Sequence, residues 1–237
     1  MSDVTIDSFN QPHRAVQARF EIQRVALVAL FAVGLGFAMQ SLILATRLLA
    51  GGPPAQLSFV ADVAQGVTWS AFVCTGVAVG VVVGRTRKLL AGLFGLIFAP
   101  LGIALAKASQ KAMLAVTNAL DKPDMLPLVM LGSVRAIEYG LLAWLLAALA
   151  EKEVARPTAY VSIGATIGIL FGGLLVLMTL SVGSPNPTTA QLAGMIVNEV
   201  GSPIGCALLI FLGQLVARNV VIYKRHSSAA TRAYLTQ

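Results

Sequence analysis

The 237 residues are 57% hydrophobic and 11% charged, with a mean hydropathy of +0.82 and a formal net charge of +7. A water-soluble domain carries roughly a quarter charged residues, so this composition excludes a chain surrounded by water and makes lipid the solvent for most of it. The basic excess does not mark a nucleic-acid binder, because Lys and Arg gather at the ends of apolar blocks and not in a patch interleaved with aromatics.

The apolar blocks are each about 20 residues or longer, the length of a membrane-spanning helix, whereas barrel strands are short and alternate. A spanning helix satisfies its backbone hydrogen bonds internally. The expected fold is an all-α integral membrane protein, a polytopic bundle of about six transmembrane helices over residues 25–222. Residues 1–24 and 223–237 are expected to be cytoplasmic.

Met1 to Arg24 is polar and carries Arg14, Arg19 and Arg24. Val16, Phe20 and Ile22 permit a short amphipathic helix on the inner leaflet; a mobile tail is the alternative. No cleavable signal peptide is expected, since the first apolar block is too long for one. Helix 1 is predicted over about Val25–Leu49, ending at Gly51-Gly52-Pro53-Pro54. Helix 2 covers about Phe59–Gly84 and stops at Arg85-Thr86-Arg87-Lys88. Helix 3 covers about Leu89–Ala106 and contains Pro100. The following stretch, Lys107 to Asp124, is amphipathic, with Met113, Val116 and Leu120 on one face. It either continues helix 3 out of the membrane or lies along the surface.

Helix 4 is predicted over about Met125–Ala150, ending in Glu151-Lys152-Glu153. Helix 5 covers about Thr158–Val182 and ends at Ser184-Pro185-Asn186-Pro187. Helix 6 covers about Leu192–Val221, followed by a polar stretch of about a dozen residues expected to be disordered. With these spans, one membrane face holds Arg14, Arg19, Arg24, Arg85, Arg87, Lys88, Lys152, Arg156, Arg218, Lys224, Arg225 and Arg232. The other holds Arg47, Lys107, Lys111 and Lys122. Twelve against four places both termini inside, and a bacterial inner membrane is the expected location.

Helix 4 carries the sharpest signal. Arg135 and Glu138 lie three apart, on one face near mid-span. Each charge at the bilayer centre costs about 2.5–3.5 kcal/mol. The eleven Leu, Ile and Val residues of that helix return about 3–7 kcal/mol. The charged face must therefore turn toward protein or water. Asp62 in helix 2 and Glu199 in helix 6 are further carboxylates within spans, both expected nearer the outer surface. Pro203 cannot donate to the Glu199 carbonyl, which with Asn198 and Ser202 makes an oxygen-rich kink. Pro100 frees the Leu96 carbonyl in the same way.

Three readings fit these residues. One is a polar path from Asp62, Asn198 and Glu199 to Arg135 and Glu138, serving ions or protons. Another is an interhelical ion pair, Arg135 with Glu199, that only fixes packing. The third is a polar face of helix 4 docked on another subunit.

Gly76, Gly80 and Gly84 in helix 2, and Gly164, Gly168 and Gly172 in helix 5, each line one face at fourfold spacing. Such faces let another backbone approach closely; tight packing is the favoured reading and a sliding surface the other. The chain also reads as two inverted halves, pairing helices 2 with 5 and 3 with 6. It reads equally as three hairpins whose second helices each carry an acid.

Cys74 and Cys206 sit in apolar segments without C-x-x-C spacing and read as small buried hydrophobes. His13 and His226 lie outside the spans, so no metal site is expected. There is no H-E-x-x-H, no phosphate loop and no G-x-S-x-G elbow, so the chain does not read as an enzyme, and no cofactor can be named. The leading expectation is a small transporter or ion-pathway protein using intramembrane carboxylates. The competing one is a non-catalytic subunit of a larger membrane complex. The lipid bilayer is the one partner implied directly; other membrane subunits or self-association belong to the second reading.

Overall fold

The computed structural model describes residues 11–54, 57–84, 88–119, 126–182 and 187–235, with side chains described between Ile22 and Val216. Among these residues the regular structure is six helices: α1 (Gln11–Leu49), α2 (Ser58–Val83), α3 (Lys88–Thr117), α4 (Leu128–Glu151), α5 (Pro157–Val182) and α6 (Thr189–Leu235). All six contain a stretch long and apolar enough to cross a membrane. The protein is an all-α, multi-pass integral membrane protein. Six crossings bring the start of α1 and the end of α6 to one side, here called the terminal end. The connections α1–α2, α3–α4 and α5–α6 belong to the opposite end, here called the hairpin end.

Several helices outrun the apolar blocks that announce them. At about 1.5 Å per residue, α3 with 30 residues is about 45 Å long, well beyond a hydrocarbon core of about 30 Å. The stretch from Lys107 is a direct continuation of α3 to Thr117; residues 120–125 lie outside the described ones. At the terminal end α1 already begins at Gln11, and α6 runs on to Leu235 where a disordered tail was expected. Apolarity marks where a helix is in lipid, and helix propensity carries it further through Ala, Gln and Arg. The side chains of Val16 and Phe20 lie outside the described ones, and Ile22 is exposed.

Three helices stop in the same way. Gly51 (φ 78°), Asn118 (φ 49°) and Glu153 (φ 51°) adopt the left-handed conformation. The next amide reaches back five residues in each case: Gly52 N–H to the Arg47 carbonyl (2.8 Å), Ala119 to Leu114 (3.0 Å) and Val154 to Leu149 (3.1 Å). This satisfies carbonyls that a helix end would leave open. Hydroxyls inside the spans are handled locally. Ser133, Ser162, Thr166, Thr179 and Ser181 each donate to the carbonyl four residues earlier, at 2.7–2.9 Å.

The helices form a triangle within a triangle. The inner ones, α2, α4 and α6, all touch one another; α1 lies between α2 and α6, α3 between α2 and α4, and α5 between α4 and α6. Each outer helix thus packs on the inner helix of its own hairpin and on that of the hairpin before it in the ring. This is the arrangement of the three-hairpin reading. The glycine faces make it possible. Gly80 and Gly84 of α2 seat Ala91 of α3, while Phe98 lies across Gly76 and stacks on Phe72 at 5.1 Å. A methyl added at Gly164 would lie 2.8 Å from the Ile204 Cα, and one at Gly168 2.9 Å from the Val200 carbonyl oxygen. So α5 rests directly on the α6 backbone around Pro203. Two further crossings were not read from sequence: Gly36 of α1 on Gly66 and Val67 of α2, and Gly95 of α3 on Tyr139 and Gly140 of α4. The second has a visible signature, Ala91, Gly95 and Ala99 at fourfold spacing, all buried.

Candidate functional site

The inner triangle closes on a buried ionic cluster. Arg135 is the eighth residue of α4 and Glu138 the eleventh, so both fall on the face that continues through Leu142 and Leu146 into the core. Glu199 is the eleventh residue of α6. Because α6 starts at Thr189 and not near Leu192, Glu199 sits a turn deeper than its expected position, at the level of the α4 charges. Arg135 Nη1 donates to Glu138 Oε2 at 2.7 Å, and Nη2 lies 2.5 Å from Glu199 Oε2. One guanidinium therefore serves two carboxylates, one on its own helix and one on α6. Exposure is 4% for Arg135, 0% for Glu138 and 5% for Glu199, so lipid does not reach any of them.

The third inner helix supplies the wall. The Arg135 guanidinium carbon lies 5.5 Å from the centre of the Trp69 ring of α2 and 5.9 Å from that of Tyr139. These rings meet edge to face at 5.4 Å. A desolvated guanidinium over two aromatic faces gains cation–π attraction that partly replaces water. Glu199 Oε1 accepts from Asn198 Nδ2 at 3.2 Å, and Ser202 Oγ donates to Asn198 Oδ1 at 3.3 Å. Glu138 Oε1 is buried without a hydrogen-bond partner. Arg135 and Glu138 of α4 are thus covered by α2 and α6 of the same chain.

Beside the cluster is a cavity of about 20 Å³ between α1, α2, α4 and α6, room for one water. Its polar lining comes from Gln40, Ser70, Asn198 and Ser202, next to Trp69 and Tyr139. Ser70 Oγ is buried with no partner of its own. Asp62, Gly66 and Ser70 follow at fourfold spacing on α2, and the Gln40 side chain of α1 lies across Gly66. A polar stripe thus runs from Asp62 at the hairpin end to the cavity. Toward the terminal end, the inner helices carry buried apolar side chains, among them Val77, Val81, Leu142, Leu146 and Ile210.

Asp62 itself is not part of the cluster. It lies seven residues before Trp69, about 10 Å along the axis. There it accepts from Gln110 Nε2 of α3 at 3.0 Å and faces Arg47 of α1 at 3.9 Å. Asn198 does join the cluster, as the hydrogen-bond partner of Glu199. The glycines of both faces lie at helix crossings, and Gly172 lies against the Glu199 Cβ. Cys74 and Cys206 are free and buried. Trp69, Gln40 and Ser70 escaped the sequence reading, although the spacing of Asp62, Gly66 and Ser70 and a mid-span glutamine were available signals.

A second polar pair lies nearer the terminal end. The Tyr160 hydroxyl donates to Gln214 Oε1 at 2.7 Å, joining α5 to α6 in a buried setting. Tyr160→Phe is expected to lower stability by about 1–3 kcal/mol, since it strands a buried acceptor; the midpoint of thermal unfolding in detergent reads this. Compared with protein-family models, with curated proteins and with solved structures, the chain matches none.

Proposed function

We propose that the protein is a small membrane transporter or ion-pathway protein whose central site is the Glu138–Arg135–Glu199 cluster, with its termini in the cytoplasm, as in a bacterial inner membrane. The observation that carries this reading is a charge imbalance in a sealed place. Two carboxylates and one guanidinium sum to −1 when all are ionised, and Glu138 Oε1 is left without a partner. A cluster that served packing alone would gain nothing from an unmatched carboxylate at this depth, where charge is costly. A second carboxylate is what a cation-accepting site requires. The polar stripe supports access from the hairpin end, and the apolar block below the cluster supports a closed state on the other side.

The test is flux in proteoliposomes. Glu138→Gln is expected to insert and fold, since it is nearly isosteric and removes the excess charge, and to lose transport of the coupled ion. Undiminished flux in that variant, with wild-type flux established, would remove Glu138 from the pathway. The competing reading, a non-catalytic subunit, is favoured by the backbone-to-backbone crossings at Gly36, Gly95 and Gly168, which leave little room for an organic solute. It expects the isolated chain to be unstable in mild detergent without companions.

A further inference from the structure

We propose that the cluster holds one proton with two alternative positions, Glu138 and Glu199, and that moving it latches or releases α6 from α4. This rests on the ion-pathway reading and names its ion and moving part. With the proton on Glu138 Oε1, Arg135 pairs with Glu199, and the only ionic link between α4 and α6 in the cluster is intact. With the proton on Glu199, Arg135 pairs with Glu138, three residues away on its own helix, and α6 is unlinked. The exchange converts Glu138-COOH and Glu199-COO⁻ into Glu138-COO⁻ and Glu199-COOH. Net charge is zero in both states, so the cluster stays neutral in low dielectric while its mechanical connection changes.

The surroundings suit a helix released at this point. Pro203 lies four residues after Glu199 within α6 and removes the hydrogen bond that would stiffen that turn. On the far side, α6 rests on Gly164, Gly168 and Gly172 of α5, a face without side chains to ratchet against. The water-sized cavity touches Asn198, which donates to Glu199, and Ser202, which donates to Asn198, so solvent protons from the hairpin end reach Glu199 first. The other titratable groups facing the cluster are Tyr139 on α4, Cys74 on α2 and Cys206 on α6. The α5 residues against Glu199, Gly168 and Gly172, carry no titratable group.

Two readouts on the full chain test this. Infrared spectroscopy of wild-type protein at neutral pH should show a protonated carboxyl stretch that is lost in Glu138→Gln and in Glu199→Gln, because either variant makes the cluster neutral without a proton. Absence of the band in wild type, or its survival in both variants, would overturn the proposal. Spin labels at Val129→Cys on α4 and Thr189→Cys on α6, in a Cys74→Ala/Cys206→Ala background, report the link by pulsed dipolar spectroscopy. Glu138→Gln should give one distance, the latched one; Glu199→Gln should shift to a second; wild type should populate both. Loss of packing in general would move both variants alike, and identical distributions in the two would overturn the latch. Sodium or potassium flux abolished by Glu138→Gln, with no protonated carboxyl, would overturn the proton and leave the pathway standing. A latch that moves in a protein with no flux would support the device and remove the pathway.

Discussion

Arg135→Ala is expected to be the most damaging single substitution in the membrane domain, costing about 3–5 kcal/mol and leaving little monodisperse protein after detergent extraction. Removing the guanidinium leaves Glu138 and Glu199, both almost wholly buried, with no positive partner. The loss combines a broken pair with two carboxylates left buried without a countercharge. Neutral replacements at the two glutamates separate these causes. Arg135→Ala with Glu138→Gln and Glu199→Gln carries no charge at the cluster, and it should recover most of the folded yield. Were the triple variant as unstable as the single one, the damage would lie in the lost stacking on Trp69 and Tyr139, not in stranded charge.

The second large effect is expected at Gly95. A methyl group there would collide with the Tyr139 carbonyl and stand 3.0 Å from the Gly140 Cα. Backbone of one helix thus meets backbone of the next, and no rotamer change relieves the overlap. Overpacked sites cost about 1–3 kcal/mol where side chains can shift, sometimes more. Gly95→Val should reach or pass the upper end of that range, and it should also disturb the cluster, because Tyr139 is one of the rings against Arg135. Gly34→Val and Gly173→Val are the controls, since nothing lies within 4 Å of a methyl at either position. Thermal unfolding of the three variants in one detergent decides the matter: equal midpoints would show that α3 and α4 separate more readily than their contact implies.

These expectations show which parts of the molecule the chain announces. Spans were legible because a lipid-facing helix must be apolar over about 20 residues, so the six blocks and their order follow from composition along the chain. Helix ends were less so, since Gln11–Arg24 and Lys107–Thr117 are polar and helical for local reasons only. The Arg135–Glu138 pair was legible from the cost of charge at mid-span, and Glu199 from its place beside Pro203. Trp69 was not, because an aromatic residue in an apolar helix has no spacing that distinguishes a ring over a guanidinium from a ring in lipid. Asp62 was read toward the same path as the other acids, yet it is tied to Arg47 and Gln110 one level out. Depth along a helix follows from counting residues, whereas the helix a carboxylate faces depends on the rotation of the whole bundle.

The link between α4 and α6 also sets a schedule for making the protein. Glu199 follows Arg135 by 64 residues (199 − 135), and at roughly 5–20 residues per second of synthesis that is about 3–13 seconds. At the start of that interval α4 has a guanidinium and a carboxylate on one face and only α2 and α3 of its four neighbours, and α5 follows before Glu199 is made. Glu138 keeps Arg135 company within the helix, which makes the wait tolerable, but α4 has its full set of neighbours only when α6 arrives. The nascent chain is thus most exposed to the membrane's quality-control proteases between its fourth and sixth crossings, and truncations ending after α5 are expected to be cleared fastest.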